Sequence, residues 1–257
     1  MKKVTINGLD LWQFDILGWE TAINHFVTDR NSARAEKEFT LSFSSSPDRA
    51  EILANRSLVA TAMGVPDVNL FMPSQVHKTN IVNVTKDTAR EELLETDALI
   101  TNQPGVCIAV MSADCVPVIL YDRTNRAVAA VHSGWRGTVA KILEKTLREM
   151  RARFGTRGRD LIAGIGPSVS QDSYEVGEEV VREVTDAFGT HALLLIPQKE
   201  GKAKLDLWKA NKLQLLEFGV SEACIEISDL CTVKNNGSFF SARRGDAGRF
   251  AAGIVLR

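Results

Sequence analysis

Histidine is scarce in this chain: only His25, His77, His132 and His191 occur in 257 residues. That excludes centres built on many imidazoles, since a mononuclear copper with a trinuclear cluster calls for about ten. Cysteine is equally sparse. Cys107, Cys115, Cys224 and Cys231 form no CxxC pair, and a chain of this length folds without disulfides, so reduced thiols are expected. An excess of one charge is also missing. With 31 basic and 32 acidic side chains and a net charge of −1, the chain has no field to gather a polyanion, and no nucleic-acid partner is expected. No run approaches the roughly 20 apolar residues of a membrane span, the longest being "AVAAV" and "ALLLI". Two lysines follow Met1, but polar residues interrupt "VTINGLDLWQFDILGW" where a signal peptide would be continuously apolar. A cytoplasmic protein without membrane partners is the expectation.

What is present is an apolar fraction of 44%, enough for a sizeable core. Apolar and β-branched runs bounded by Gly, Pro, Asn and Asp predict strands at "FTLSF" (39–43), "NLFM", "NIVNV", "DALIT", "VCIAVM", "PVILY", "AVAAVH", "LIAGIG", "CIEI" and "AAGIVL". Helical periodicity predicts helices over 47–63 with Pro47 first, 138–153 with Thr138 as N-cap, 177–187, and 206–218 from Asp206. No repeat, low-complexity tract or linker divides the chain, so a single α/β domain over 1–257 is expected. Short turns at "NQPG" and "DRTN" fit antiparallel neighbours, because a parallel crossover needs a dozen or more residues. The sheet should therefore be mixed.

Three soft-ligand residues fall at strand boundaries: His77 in "PSQVHKTN", Cys115 in "MSADCVPV" and His132 in "AAVHSGWRG". Ends of adjacent strands converge, and two imidazoles with a thiolate make a good zinc set. Their spacing is no zinc-finger signature, and each has an ordinary alternative: a lone cysteine is commonly a small buried hydrophobe and a lone histidine a satisfied structural group. Polar neighbours set them apart from core positions, with Asp114 before the thiol, Gln75 before His77 and Arg136 after His132.

Taken together, "SQVHKTN", "DALITNQPGVCIAVMSADCVPVILYD", "AAVHSGWRGT", "IGPSVSQDSYEVG", "LDLWKAN" and "CTVKNNGSFFSARRGDAGR" resemble the bacterial laccase-domain family, also called the multicopper polyphenol oxidase or purine nucleoside phosphorylase family and similar to peptidoglycan-editing factors. The resemblance runs from about residue 39 to the C-terminus. The family's N-terminal His-Gly-Phe-Ser-Thr-Arg-like run survives only as "NHFVTDRNSARAE", interrupted at Asp29, whereas "ANR" at 54–56 matches. The resemblance implies a three-layer α/β/α fold, a zinc site at His77, Cys115 and His132, and phosphorolysis of adenosine, inosine and S-methyl-5′-thioadenosine with some adenosine deamination.

In that reading Cys115, His132 and Asp114 are the catalytic candidates, Asp114 moving protons or orienting a ligand. Gln75, Arg136, Arg243 and Arg244 are the substrate-binding candidates, guanidinium being suited to chelating phosphate. The competing assignment for the arginines is ion pairing with Asp97, Asp114 or Asp246. Tyr174 and Phe240 could stack on a purine or simply pack. Ser133-Gly134 would turn the chain into the following helix, with Trp135 closing the wall. Neither a GxxxxGK[ST] phosphate loop nor the H-x-E and P-C-x-x-C deaminase signature is present. Two other classes stay open: a Cys115–His132 hydrolase acting on an amide, for which His77 is dispensable, and a weak copper-dependent polyphenol oxidase. A purely structural zinc would normally have four protein ligands. The preferred nucleoside and the oligomeric state are not written in the sequence.

Overall fold

The computed structural model describes residues 1–33, 37–46 and 48–257. Pro47, expected to open a helix, and residues 34–36 of the "NHFVTDRNSARAE" segment lie outside the described residues.

In chain order the first strands are β1 (Lys2–Ile6), β2 (Leu9–Gln13), β3 (Ile23–Thr28), β4 (Leu70–Phe71) and β5 (Ile81–Asn83). The central ones are β6 (Ala98–Thr101), β7 (Cys107–Ser112), β8 (Val116–Asp122), β9 (Ala127–Ser133) and β10 (Leu161–Ile165). Then follow β11 (Glu175–Val176), β12 (Leu195–Pro197), β13 (Ala203–Leu205), β14 (Ile225–Ile227) and β15 (Phe250–Leu256). The helices are α1 (Asp15–Gly18), α2 (Arg49–Met63), α3 (Trp135–Val139), α4 (Ile142–Phe154), α5 (Glu178–Phe188) and α6 (Leu207–Glu217).

The α/β class and the mixed pairing hold. Where one mixed sheet between helical layers was expected, the long strands divide into two six-stranded sheets, ordered β1-β2-β3-β15-β7-β4 and β14-β10-β8-β9-β6-β5, beside a small β11-β13-β12 sheet. The two large sheets pack face to face. Ile108 and Val110 of β7 meet Ile119, Tyr121, Val128 and Ala130 of β8 and β9 in one core. The opposite face of β7, through Cys107 and Ala109, packs on Val59, Ala60 and Met63 of α2. The opposite face of β8 and β9 packs on α4 and α6 through Leu143, Leu147, Ala210 and Leu215. The layer order is thus helix, sheet, sheet, helices. Strands apolar on both faces fit either a sheet between helices or a sheet against a sheet, so their composition alone does not choose.

Local differences have local causes. Asp48 caps α2 by accepting from the Ala50 and Glu51 N–H groups, and Gly64 ends it at φ 73°. Asp206 caps α6 through the Lys209 N–H, and α5 opens one residue after the expected start. The helix expected from Thr138 instead begins at Trp135, breaks at Lys141 with φ 60°, and resumes as α4. Thr138 is no cap: its hydroxyl meets the Ser133 hydroxyl at 2.9 Å inside α3. "FTLSF" makes no strand, although the Leu41 N–H donates to the Arg249 carbonyl. The β1–β2 hairpin was not expected, yet "NG" carries it: Asn7 and Gly8 both have positive φ, 50° and 82°, as a tight two-residue hairpin requires.

Candidate metal centre

Three strand ends meet where the sequence placed its soft ligands. Cys115 directly precedes β8, and His132 near the end of β9 pairs in register with Pro117 of β8. His77 arrives on the loop between β4 and β5. One potential ligand atom from each residue lies within 4.8 Å of the others, and the two imidazole rings meet edge-on at 4.8 Å. His132 is buried, Cys115 half-buried and His77 exposed. The set therefore opens toward solvent on one side.

Asp97, fully buried at the start of the "DALIT" segment, builds this convergence. Its Oδ1 contacts His132 Nδ1 at 2.8 Å and accepts the His77 N–H at 2.9 Å. Its Oδ2 accepts the N–H groups of Val76 and Lys78 at 3.2 and 2.9 Å. One carboxylate thus orients one imidazole and folds the loop carrying the other, which places His77 at φ 62°. With Nδ1 engaged, Nε2 of His132 is the nitrogen free for a ligand, as in the carboxylate–histidine–metal arrangement. Burial opposes ionisation of Asp97, but His132 and the Lys78 and Val76 N–H groups outweigh it and hold the carboxyl below its usual range. Sequence reading had Asp97 only as a partner for arginine.

Gly134 supplies space. A Cβ there would lie 2.9 Å from Cys115 Sγ and 3.2 Å from the His77 ring, so a side chain would crowd the ligand set. The electrostatics of the ligand-free set are those of a coupled pair. Burial would raise the Cys115 thiol, but His132 and His77 bring it down to about 6. Burial would lower His132, but the Cys115 thiolate and Asp97 bring it up to about 9. A thiolate facing two imidazoles is a donor set that fits a soft or borderline metal such as zinc.

The centre borders a cavity of about 1160 Å³ whose wall includes Gln75, Asp114, Tyr174 and Arg243. Gln75 is tied to the backbone of Met111, its Nε2 donating to the carbonyl and its Oε1 accepting the N–H, both at 2.8 Å. Asp114 accepts from the Thr232 hydroxyl at 2.5 Å and the Arg243 N–H at 2.8 Å, locking the C-terminal loop onto the turn before Cys115. Arg243 lies over the Tyr174 ring at 4.6 Å and donates to the Glu175 carbonyl, so one face of Tyr174 is already covered. Burial and the Cys115 charge push the Tyr174 phenol up to about 12.

Other expected residues fall elsewhere. Arg136 is exposed, stacks over Trp135 at 4.4 Å and lines a neighbouring depression beyond His77 with Glu183 and Asp186. Arg244 donates to the Val233 carbonyl away from the cavity wall. Phe240 is completely buried in the inter-sheet core beneath Arg30, so it packs and does not stack on a ligand. Asp246 pairs with Arg30. Among the described residues, Arg136, Arg243 and Arg244 make no ion pair with Asp97, Asp114 or Asp246.

Known proteins align with this architecture. A purine nucleoside phosphorylase of Bacteroides thetaiotaomicron is 40% identical over 260 residues, covering 94% of this chain and 96% of that protein. Adenosine deaminase RL5 from an unknown prokaryotic organism is 37% identical, covering 82% and 84%. The crystal structure of YlmD from Geobacillus stearothermophilus superposes with a TM-score of 0.86 at 27% identity, over 98% of this chain and 97% of that one. Residues 24–257 match the model of the multi-copper polyphenol oxidoreductase laccase family, and the chain belongs to that family.

Proposed function

We propose that the chain is a cytoplasmic, zinc-dependent purine nucleoside phosphorylase acting on adenosine, inosine and S-methyl-5′-thioadenosine, with adenosine deamination as a second activity. The carrying observation is the convergence of His77, Cys115 and His132 on one point beside a large cavity, together with similarity to proteins named for the phosphorylase and deaminase activities. The whole chain is read as one domain, because the inter-sheet core draws on Phe14, Ile162 and Leu256 alike.

His77, Cys115 and His132 would hold the metal, with copper the less favoured occupant. Zinc held there would supply Lewis-acid polarisation. The chain's own residues do the rest. Asp97 keeps His132 in one tautomer and fixes the His77 loop. Arg243 presents a guanidinium to the cavity for phosphate, and the Arg136 charge, from the neighbouring depression, acts on the Tyr174 phenol. Tyr174, held neutral, can donate a hydrogen bond to a purine or ribose oxygen. Gln75 and Asp114 hold the backbone that shapes the wall, with Gln75 keeping one amide hydrogen for substrate.

The test is adenine release from adenosine with and without inorganic phosphate. Phosphate dependence and ribose 1-phosphate as product are expected; equal turnover in phosphate-free buffer with free ribose overturns phosphorolysis. A second reading has its own observation, since Cys115, His132 and Asp97 also form the thiolate–imidazole–carboxylate series of a cysteine hydrolase. His77→Ala separates the two. Loss of zinc and activity together supports the metal enzyme, whereas full activity with loss only on Cys115→Ala supports the hydrolase.

A further inference from the structure

The cavity has a second chemical feature, on the side built by α2 and by the segment leading to Leu93. Arg49, Arg56 and Arg90 all line it, along with Phe43. The Arg49 and Arg56 guanidiniums lie over the same Phe43 ring, at 4.5 and 4.2 Å from its centre, and Arg90 lies over Phe71 at 4.5 Å. Aromatic stacking fixes the planes of the forks.

Their hydrogen bonds leave the charge in place. Arg56 donates Nε and Nη2 to the Leu41 carbonyl, and Arg90 donates Nη1 and Nη2 to the carbonyls of Leu70 and Val68. Carbonyl oxygens orient a guanidinium without neutralising it. Among the described residues none of the three makes an ion pair. Of the carboxylates nearby, Glu51 pairs with Lys37, Asp114 is held by Thr232 and the Arg243 N–H, and Asp67, which also lines the cavity, forms no ion pair with the three among the described residues. Burial lowers Arg56 to about 10, and the charges of Arg90 and Arg49 add to the effect. Three oriented cations gathered with no ion-pair partner among the described residues hold an electrostatic cost that an anion would relieve.

We propose that this side of the cavity is an anion subsite in which Arg56, Arg90 and Arg49 grip a phosphate group, carried on the ligand as in a nucleoside 5′-phosphate or bound as free phosphate. Planar forks on a tetrahedral phosphate give paired, charge-assisted hydrogen bonds, and Arg56 Nη1 makes no hydrogen bond among the described residues. The inference deepens the nucleoside reading by naming a phosphorylated nucleoside as the ligand class, and it rests on that reading only for the base.

The test is calorimetric binding of adenosine, adenosine 5′-monophosphate and inorganic phosphate to the metal-loaded protein in phosphate-free buffer. It reads no turnover, so its failure is distinct from failure of phosphorolysis. The expected result is that the monophosphate binds at least about 10-fold more tightly than adenosine and that Arg56→Ala and Arg49→Glu each reduce this preference by about 10-fold. Variant-sensitive binding of inorganic phosphate without any preference for the monophosphate assigns the subsite to free phosphate. A monophosphate preference untouched by both variants overturns the proposal, as does phosphate binding that neither variant changes. Should Arg56→Ala fail to fold because its tie to Leu41 is lost, Arg49→Glu, at an exposed position, decides alone.

Discussion

Asp97 and His132 are joined twice: the carboxylate meets Nδ1 of the ring at 2.8 Å, and the Asp97 carbonyl accepts the His132 N–H at 2.8 Å. Because the same carboxylate gathers the N–H groups of residues 76–78, one side chain sets both histidines of the centre. Asp97→Asn keeps the shape but loses the charge and turns one acceptor oxygen into a donor that faces backbone N–H groups. Zinc affinity, measured by chelator competition, should fall about 10- to 100-fold. Unchanged affinity would show that Asp97 serves only the loop.

Gly134→Ala tests the space around the ligands. The backbone there is extended at φ −68°, so alanine brings no conformational strain, and its effect must come from the Cβ beside Cys115 Sγ and the His77 ring. Crowding of this kind costs about 1–3 kcal/mol. The expected result is a marked loss of zinc affinity with a smaller loss in the stability of the metal-free protein. Equal stability losses with and without zinc would place the strain in the fold instead.

The legible and illegible parts of this molecule divide along physical lines. His77, Cys115 and His132 could be found because soft ligands at strand ends are unusual in a chain with four histidines. Asp97 was not readable as their organiser: a carboxylate at the head of an apolar strand must find donors, but that these are the backbone amides of the His77 loop is decided only by the folding of that loop. The arginines of α2 offered no such sign, since charged residues on a helix are ordinarily solvated. The second sheet was hidden for a different reason, because Cys107–Ser112 and Ala127–Ser133 are buried on both faces whichever layer covers them. The Thr138 cap failed because Gly134, four residues earlier, had already started a helix.

In protein stripped of metal, Cys115 should be the reactive thiol. Its pairing with His132 and His77 brings it down to about 6, so the thiolate fraction rises as pH increases through that value. Iodoacetamide labelling followed by peptide mapping should show a Cys115 rate that climbs between about pH 5 and 7 and is then nearly flat. Cys107, which burial drives far above the usual thiol range, should stay unlabelled. Zinc should protect Cys115. A midpoint for Cys115 near that of an ordinary thiol would show that the imidazoles do not hold it as described.

His25 gives the fold its own acid sensitivity, apart from the metal centre. Its Nε2 accepts the Phe14 N–H at 2.9 Å within the buried β3 region, and burial lowers its pKa from 6.5 to about 4, with the Lys2 charge adding to the effect. The unfolded chain therefore binds a proton near pH 6.5 that the folded chain refuses until about 4. Stability from this group is fully present above 6.5 and is lost as pH falls from there toward 4, by at most ~3.5 kcal/mol at about 1.4 kcal/mol per pKa unit. Urea unfolding of metal-free wild type and His25→Gln at pH 7.5 and 4.5 isolates the effect from other carboxylates and histidines. Wild type should lose more stability than the variant over that interval. Parallel losses would mean that the folded His25 accepts its proton as readily as the unfolded one.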